Sequence, residues 1–139
     1  MIKVDRIKMN IERLDTEIKD LILLAPKVFG DERGYFLESF HSDKYRDLGI
    51  NENFVQDNLS KSTRGVLRGL HYQWPFSQGK LLMVLEGSVY DVAVDIRPAS
   101  KTYGKWEGFQ LNSKDKTQLY VPPGFAHGFV VLSEEATFF

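Results

Sequence analysis

The stretch Lys80-Leu81-Leu82-Met83-Val84-Leu85-Glu86-Gly87-Ser88-Val89-Tyr90-Asp91-Val92-Ala93-Val94-Asp95-Ile96 reads as two β-strands joined by a tight turn. Lys80–Glu86 is largely apolar and Ser88–Ile96 is rich in valine, while Glu86-Gly87-Ser88 carries the glycine that a tight turn favours. The same pattern of short apolar or alternating runs, broken by Gly, Pro, Asn and Asp, extends outward in both directions. It predicts further strands over Leu21–Ala25, Tyr35–Phe40, Asn53–Asp57, Val66–Tyr72, Lys105–Leu111, Gln118–Val121 and Gly128–Leu132. The polar segment Phe29-Gly30-Asp31-Glu32-Arg33-Gly34 reads as a turn, and Pro122-Pro123-Gly124 ends a strand because proline cannot donate to a ladder. One short helix is predicted over Ser42–Leu48, with Ser42 as N-cap and Gly49 as its stop. Residues 1–19 are polar and weakly patterned and are expected to form an N-terminal strand or arm. Many short strands with little helix argue for an all-β antiparallel sandwich or barrel. Spacing alone does not separate a jelly roll from other sandwiches.

A length of 139 residues suggests one domain, and 42% apolar with 13% aromatic residues is enough for one core. The formal charge is −1, from 18 Lys and Arg against 19 Asp and Glu. That balance gives no broad footprint for nucleic acid or an anionic membrane, though it allows a local phosphate pocket. The absence of cysteine excludes a disulfide framework, a thiolate zinc site and a Cys nucleophile. No segment has the length and apolarity of a membrane span, and Met1–Leu14 lacks the continuous apolar centre of a secretory signal. A cytoplasmic protein is therefore expected.

Chemistry has few candidates. Among three histidines, His41 lies in the polar helix start and reads as surface, whereas His71 and His127 lie in apolar, strand-like surroundings. A histidine among apolar residues is as well explained by one satisfied hydrogen bond in a core as by function. Two features favour function. Arg68 stands three residues before His71, and an arginine is rarely buried without a partner. His127 ends a Pro-x-Gly-x-x-His turn, Pro122 to His127, that resembles the second half of the cupin signature. The first half offers only His71 and no His-x-His pair, so a catalytic metal site, which wants about three protein ligands, is not expected. Walker and dinucleotide fingerprints, a nucleophile-elbow serine and basic-aromatic interleaving for RNA are absent from the sequence.

Six runs then occur in order: Pro26–Gly34, Phe54–Asn58, Gly65–Gln73, Gln78–Leu81, Asp91–Arg97 and Gly124–Phe129. Together they closely resemble the dTDP-4-dehydrorhamnose 3,5-epimerases, over about Leu21 to Phe139. The resemblance implies a cupin-type jelly roll without metal or cofactor, a homodimer, and a dTDP-4-keto-6-deoxy-glucose substrate. C3 and C5 flank the C4 ketone of that sugar. Each can lose a proton because the enolate spreads charge onto oxygen, so each inversion needs a base, an oxyanion stabiliser and an acid on the opposite face. By the resemblance, His71 is the base, Lys80 meets the developing oxyanion and His127 lines the same pocket. Arg68 meets phosphate with its guanidinium fork. Arg33, Glu38, Gln56 and Asn58 match nucleotide-binding positions, and Asp91 matches a pocket carboxylate. Structural readings stand beside these: Arg33 and Glu38 as a surface pair, Asp91 on the solvent face of a half-buried strand.

Strand parity sharpens the expectation. Gln56 and Asn58 are two apart and share a face, whereas Arg68 and His71 are three apart and would point oppositely in a regular strand. A shared pocket therefore requires an irregularity, and Gly69 is the natural place for it. Family members continue past Phe139, in a segment that carries a proton-donor tyrosine and an aspartate orienting the catalytic histidine. The expectation is a single jelly-roll domain over 1–139 with the C-terminal part of the family domain missing, from a truncated gene product, a cut chain or a partial record. Such a chain is expected to bind dTDP-sugar and to epimerise poorly or not at all. The competing functions are a related sugar-nucleotide 3-epimerase or 3,4-ketoisomerase, a non-catalytic dTDP-sugar-binding cupin, and a metal-dependent cupin.

Overall fold

The computed structural model describes residues 10–139. Twelve strands and one short helix are distributed over two large antiparallel sheets and one small one. β1 (Ile11–Leu14), β2 (Ile22–Pro26), β10 (Gln118–Val121), β7 (Lys80–Glu86), β12 (Glu135–Phe138) and β5 (Ser60–Thr63) lie side by side in that order. Facing them, β6 (Leu67–His71), β11 (Phe125–Val131), β8 (Ser88–Asp95) and β9 (Trp106–Asn112) form the second sheet. β3 (Phe29–Asp31) and β4 (Gly34–Phe36) form a separate hairpin, and α1 spans Ser42–Asp47.

The main core lies between the two large sheets. Leu82, Val84, Leu119, Val121, Ala136 and Phe138 face Val89, Ala93, Phe109, Leu111, Phe125, Phe129 and Val131, all buried. Each large apolar side chain removed from water in this way stabilises the fold by roughly 1.5–3 kcal/mol. A second cluster covers the outer face of the six-stranded sheet: Ile22, Leu24 and Tyr120 pack against Tyr45, Leu48 and Ile50 of the helix and the turn after it. β2 and β10 are thus apolar on both faces. The Tyr45 hydroxyl lies 2.6 Å from Gln118 Oε1, so the helix is tied to β10 by a buried polar contact.

Most predicted strands are present with ends shifted by a few residues, and four expectations need correction. Asn53–Asp57 is not a strand: only Phe54 is partly buried, and no neighbouring strand pairs with the segment. The segment Phe29–Gly34 is not only a turn, because its ends pair as the β3–β4 hairpin around Glu32-Arg33. The helix begins after His41, not Ser42, and His41 makes no side-chain cap. His41 itself is half-buried, with Nδ1 enclosed and unpartnered. Of the expected N-terminal strand or arm, residues 11–14 form β1 against β2, and residues 1–9 lie outside the described residues.

The expected irregularity at Gly69 is present. β11 pairs with β6 as Phe129↔Arg68 and then His127↔His71, so Gly69 and Leu70 together oppose the single residue Gly128. That is a β-bulge, and it resets the side-chain parity of β6 between Arg68 and His71.

At the far end of the same sheet a fully buried carboxylate closes the barrel. Asp95 accepts from the Arg97 backbone N–H at 3.0 Å, from Arg97 Nε at 2.9 Å and Nη2 at 2.7 Å, and from the Ser100 and Thr102 hydroxyls. These donors, Arg97 foremost, hold its carboxyl well below the usual 3.8. A depressed folded pKa adds stability that is complete above the unfolded value and is lost as pH falls through the folded one. Asp95→Asn is therefore expected to cost about 1–3 kcal/mol at neutral pH. The deficit should shrink as urea midpoints are taken at pH values successively below 3.8. A deficit that stays constant through that range would refute the assignment.

Candidate active site

Residues paired across an antiparallel ladder share a face. Two rungs of the four-stranded sheet can therefore be read across its width. One runs Arg68, Phe129, Asp91, Phe109, and the next runs His71, His127, Ala93, Glu107. Phe129, Asp91, Phe109, His127 and Ala93 are all buried, so this face is the barrel interior. The bulge brings Arg68 and His71 onto it together.

His127 and Asp91 form the polar centre. His127 Nε2 lies 2.7 Å from Asp91 Oδ2, with Asp91 fully enclosed. Asp91 is thus not on a solvent face. Burial pushes its carboxyl above the usual range, opposed by the hydrogen bond and charge of His127, and its second oxygen, Oδ1, has no partner. The His127 ring stacks on Phe138 at 6.3 Å between centroids, and Phe138 stacks on Phe129 at 4.2 Å. An imidazole held between a carboxylate and an aromatic face has one orientation and a defined tautomer.

Lys80, at the start of β7, is half-buried. Burial lowers its ammonium below the free value of 10.5, and the charge of Asp91 partly opposes that. His71 and Lys80 line one cavity of about 620 Å³. Tyr72, Trp74, Gln78, Arg97, Gly124 and Phe125 also line it. Among the described residues no side chain hydrogen-bonds to His71, and no three His, Cys, Asp or Glu side chains converge as a metal-ligand set.

The remaining sequence candidates lie elsewhere. Arg68 donates from Nε to Ser62 Oγ at 2.9 Å and lines a shallow depression with Ser62 and Lys61. Arg33 pairs with Asp31 on the exposed hairpin and Glu38 with Lys44 at 2.7 Å, so they do not pair with each other. Gln56 donates to Asn58 at 3.1 Å in an exposed segment, consistent with their two-residue spacing. None of these five lines the cavity of His71 and Lys80, and His127 and Asp91, expected in the same pocket, are buried behind it and outside its lining. Trp74, Arg97 and Phe125 were not singled out from the sequence as site residues. Arg97 sat inside a quoted motif, but nothing in the string shows that its guanidinium lies 4.8 Å from the Phe125 ring centre.

An antiparallel double sheet with histidine, aspartate and lysine gathered at its interior face defines the class: a jelly roll of the cupin type. Residues 15–139 match the family model of dTDP-4-dehydrorhamnose 3,5-epimerase, and the chain belongs to that family. It is 57% identical over 132 residues to the dTDP-4-dehydrorhamnose 3,5-epimerase of Shigella flexneri, covering 94% of this chain and 72% of that one. The crystal structure of the dTDP-6-deoxy-D-glucose-3,5-epimerase of Legionella pneumophila in complex with dTDP-4-keto-L-rhamnose superposes with a TM-score of 0.90 at 53% identity, over 92% of this chain and 69% of that one. The Bacillus anthracis enzyme, crystallised with TDP and pyrophosphate, gives 0.89 at 42% identity, over 92% and 74%.

Replacing His127 by Phe keeps the ring stack and strands the Asp91 carboxylate. His127→Phe should lower stability by about 3–5 kcal/mol. The double variant Asp91→Leu/His127→Phe should recover at least half of that loss in urea denaturation. Failure of the double to recover would mean that the loss comes from packing and not from the stranded charge.

Proposed function

We propose that this chain carries the proton-abstraction site of a dTDP-4-dehydrorhamnose 3,5-epimerase, acting on dTDP-4-dehydro-6-deoxy-glucose at C3 and C5. The observation that carries the reading is the cavity shared by His71 and Lys80 beside the buried His127–Asp91 pair. A sugar carbon next to the ketone gives its proton to the His71 imidazole. The electron pair moves onto the C4 oxygen, where the Lys80 ammonium stabilises the negative charge in a partly desolvated setting. The buried His127–Asp91 pair lies behind His71, with His127 on the strand that pairs with it, and is proposed as a fixed polar support of the site. Arg68 is proposed for the diphosphate, and Arg33, Glu38, Gln56 and Asn58 for the nucleotide.

Those last four stand apart from the cavity of their own chain, and the β3–β4 hairpin that carries Arg33 exposes Phe29, Tyr35 and Phe36. An exposed aromatic hairpin supports a homodimer in which the hairpin meets a second copy. A cytoplasmic setting is proposed with it. Among the described residues no helix is long and apolar enough to cross a membrane.

Proton return by His71 on its own face exchanges hydrogen without inverting the carbon, so exchange and inversion report different groups. In heavy water with dTDP-4-dehydro-6-deoxy-glucose, deuterium should enter C3 and C5, and His71→Ala should slow entry by roughly 100- to 10,000-fold. Exchange with inversion at both carbons identifies the full 3,5-epimerase. Exchange without inversion means that these residues supply the base but not the far-face acid, and exchange at C3 alone favours a 3-epimerase. No exchange with dTDP still bound overturns the catalytic reading.

Lys80 supplies a second check through pH. A lowered lysine pKa means that its charge is lost at lower pH than in a free lysine. The exchange rate should therefore fall on the alkaline side before pH 10.5, and Lys80→Arg, which stays charged, should move or abolish that limb. An alkaline limb unchanged in Lys80→Arg would remove Lys80 from the oxyanion role.

A further inference from the structure

We infer that Gly69 and Gly128 form a backbone contact that positions His71, and that Gly128 is as much a part of that device as the bulge glycine itself. The inference rests on His71 being the base, as proposed above.

The contact is closer than side chains allow. A Cβ on Gly69 would lie 2.6 Å from Gly128 Cα and 2.7 Å from the His127 carbonyl oxygen. A Cβ on Gly128 would lie 2.7 Å from the Arg68 carbonyl oxygen and 3.1 Å from Gly69 Cα. These obstacles are backbone atoms on both sides, so no rotamer change relieves them and the strands themselves must part. Gly69 also has φ +115, outside the range that L side chains adopt readily, whereas Gly128 has no positive φ. Gly128 is therefore not required for its conformation. What excludes a side chain there is the approach of β6.

That approach decides where His71 stands. β6 is an edge strand held to the sheet by β11 alone, and the two pairings that fix its site residues, Arg68↔Phe129 and His71↔His127, flank the glycine contact on either side. Pushing the strands apart at Gly128 pulls on both. His71 is exposed and makes no side-chain hydrogen bond among the described residues, so the backbone is what fixes its ring. A displacement of about 1 Å of a reacting group can cost on the order of 100-fold in rate. The contact thus acts through His71 and makes Gly69 and Gly128 positioning residues.

The test compares two alanine substitutions that both crowd backbone. Gly128→Ala crowds the contact. Gly87→Ala, where a Cβ would lie within van der Waals overlap of the Glu135 carbonyl oxygen, crowds the β7–β8 turn away from the cavity. Both are expected to lower the melting temperature. Deuterium entry at C3 and C5, per folded molecule, should fall at least 30-fold in Gly128→Ala and stay within threefold of the parent in Gly87→Ala, with dTDP still bound by both. If Gly128→Ala does not fold, Gly69→Ala, which crowds the same contact from β6, takes its place. Equal exchange in the two variants overturns the inference. If the parent itself exchanges no deuterium, the proposed function has failed, and the inference is then read from the ring nitrogen resonances of His71. They should shift in Gly128→Ala and not in Gly87→Ala, and resonances unmoved in both overturn it.

Discussion

Side chains on a β-strand alternate between faces, and the candidate site is built on that rule together with one local breach of it. On β8 and β11 the rule holds without interruption, so Asp91, Ala93, His127 and Phe129 fall into line on the interior face. On β6 it is broken once, opposite Gly128, and the break puts two residues spaced by three on the same face. Had β6 been regular, either Arg68 or His71 would have pointed away from the barrel. The whole arrangement therefore depends on how closely two backbones meet where neither carries a side chain.

Charge inside the barrel is handled in two opposite ways on the same strand. Asp95 collects five hydrogen bonds from Arg97, Ser100 and Thr102 and is held ionised. Asp91, four residues earlier, has one bonded oxygen and one unpartnered oxygen, and burial pushes its carboxyl upward. The difference is solvation by protein dipoles, present at the barrel end and sparse in its middle. The first arrangement serves rigidity. The second leaves a carboxylate in a poorly screened interior, where its field acts on His127 and Lys80 more strongly than it would in water.

Much of this was legible in the sequence, for identifiable reasons. The long strands were visible because valine-rich runs end at glycine and proline, and the bulge could be anticipated because Arg68 and His71 violate strand parity. Asn53–Asp57 misled because the apolar pair Phe54-Val55 reads as a short strand, whereas only Phe54 packs against a core and no neighbouring strand pairs with the segment. β5, Ser60–Thr63, was hidden because its four polar residues carry no apolar pattern and it forms only by pairing with β12. The candidates His71, Lys80, His127 and Asp91 came from the family motifs, and of these His71 and Lys80 share a cavity. The part played by Gly128 was not legible, because an absent side chain leaves no chemical signal in a string of residues. The contact of Arg97 with Phe125 was invisible for a related reason, since it arises where the turn after β8 meets the start of β11, distant in the chain.

The clamp at Asp95 also braces part of the cavity lining. Arg97 is anchored by Asp95 and Asp20 and lies against Phe125 and Gly124, so this part of the lining is cross-linked into the barrel end. The segment 72–79 makes no side-chain hydrogen bond among the described residues and holds Tyr72, Trp74 and Phe76 largely in solvent. The lining of the cavity is thus unequally braced: Arg97 is tied to two carboxylates, whereas Tyr72 and Trp74 hold no side-chain hydrogen bond among the described residues.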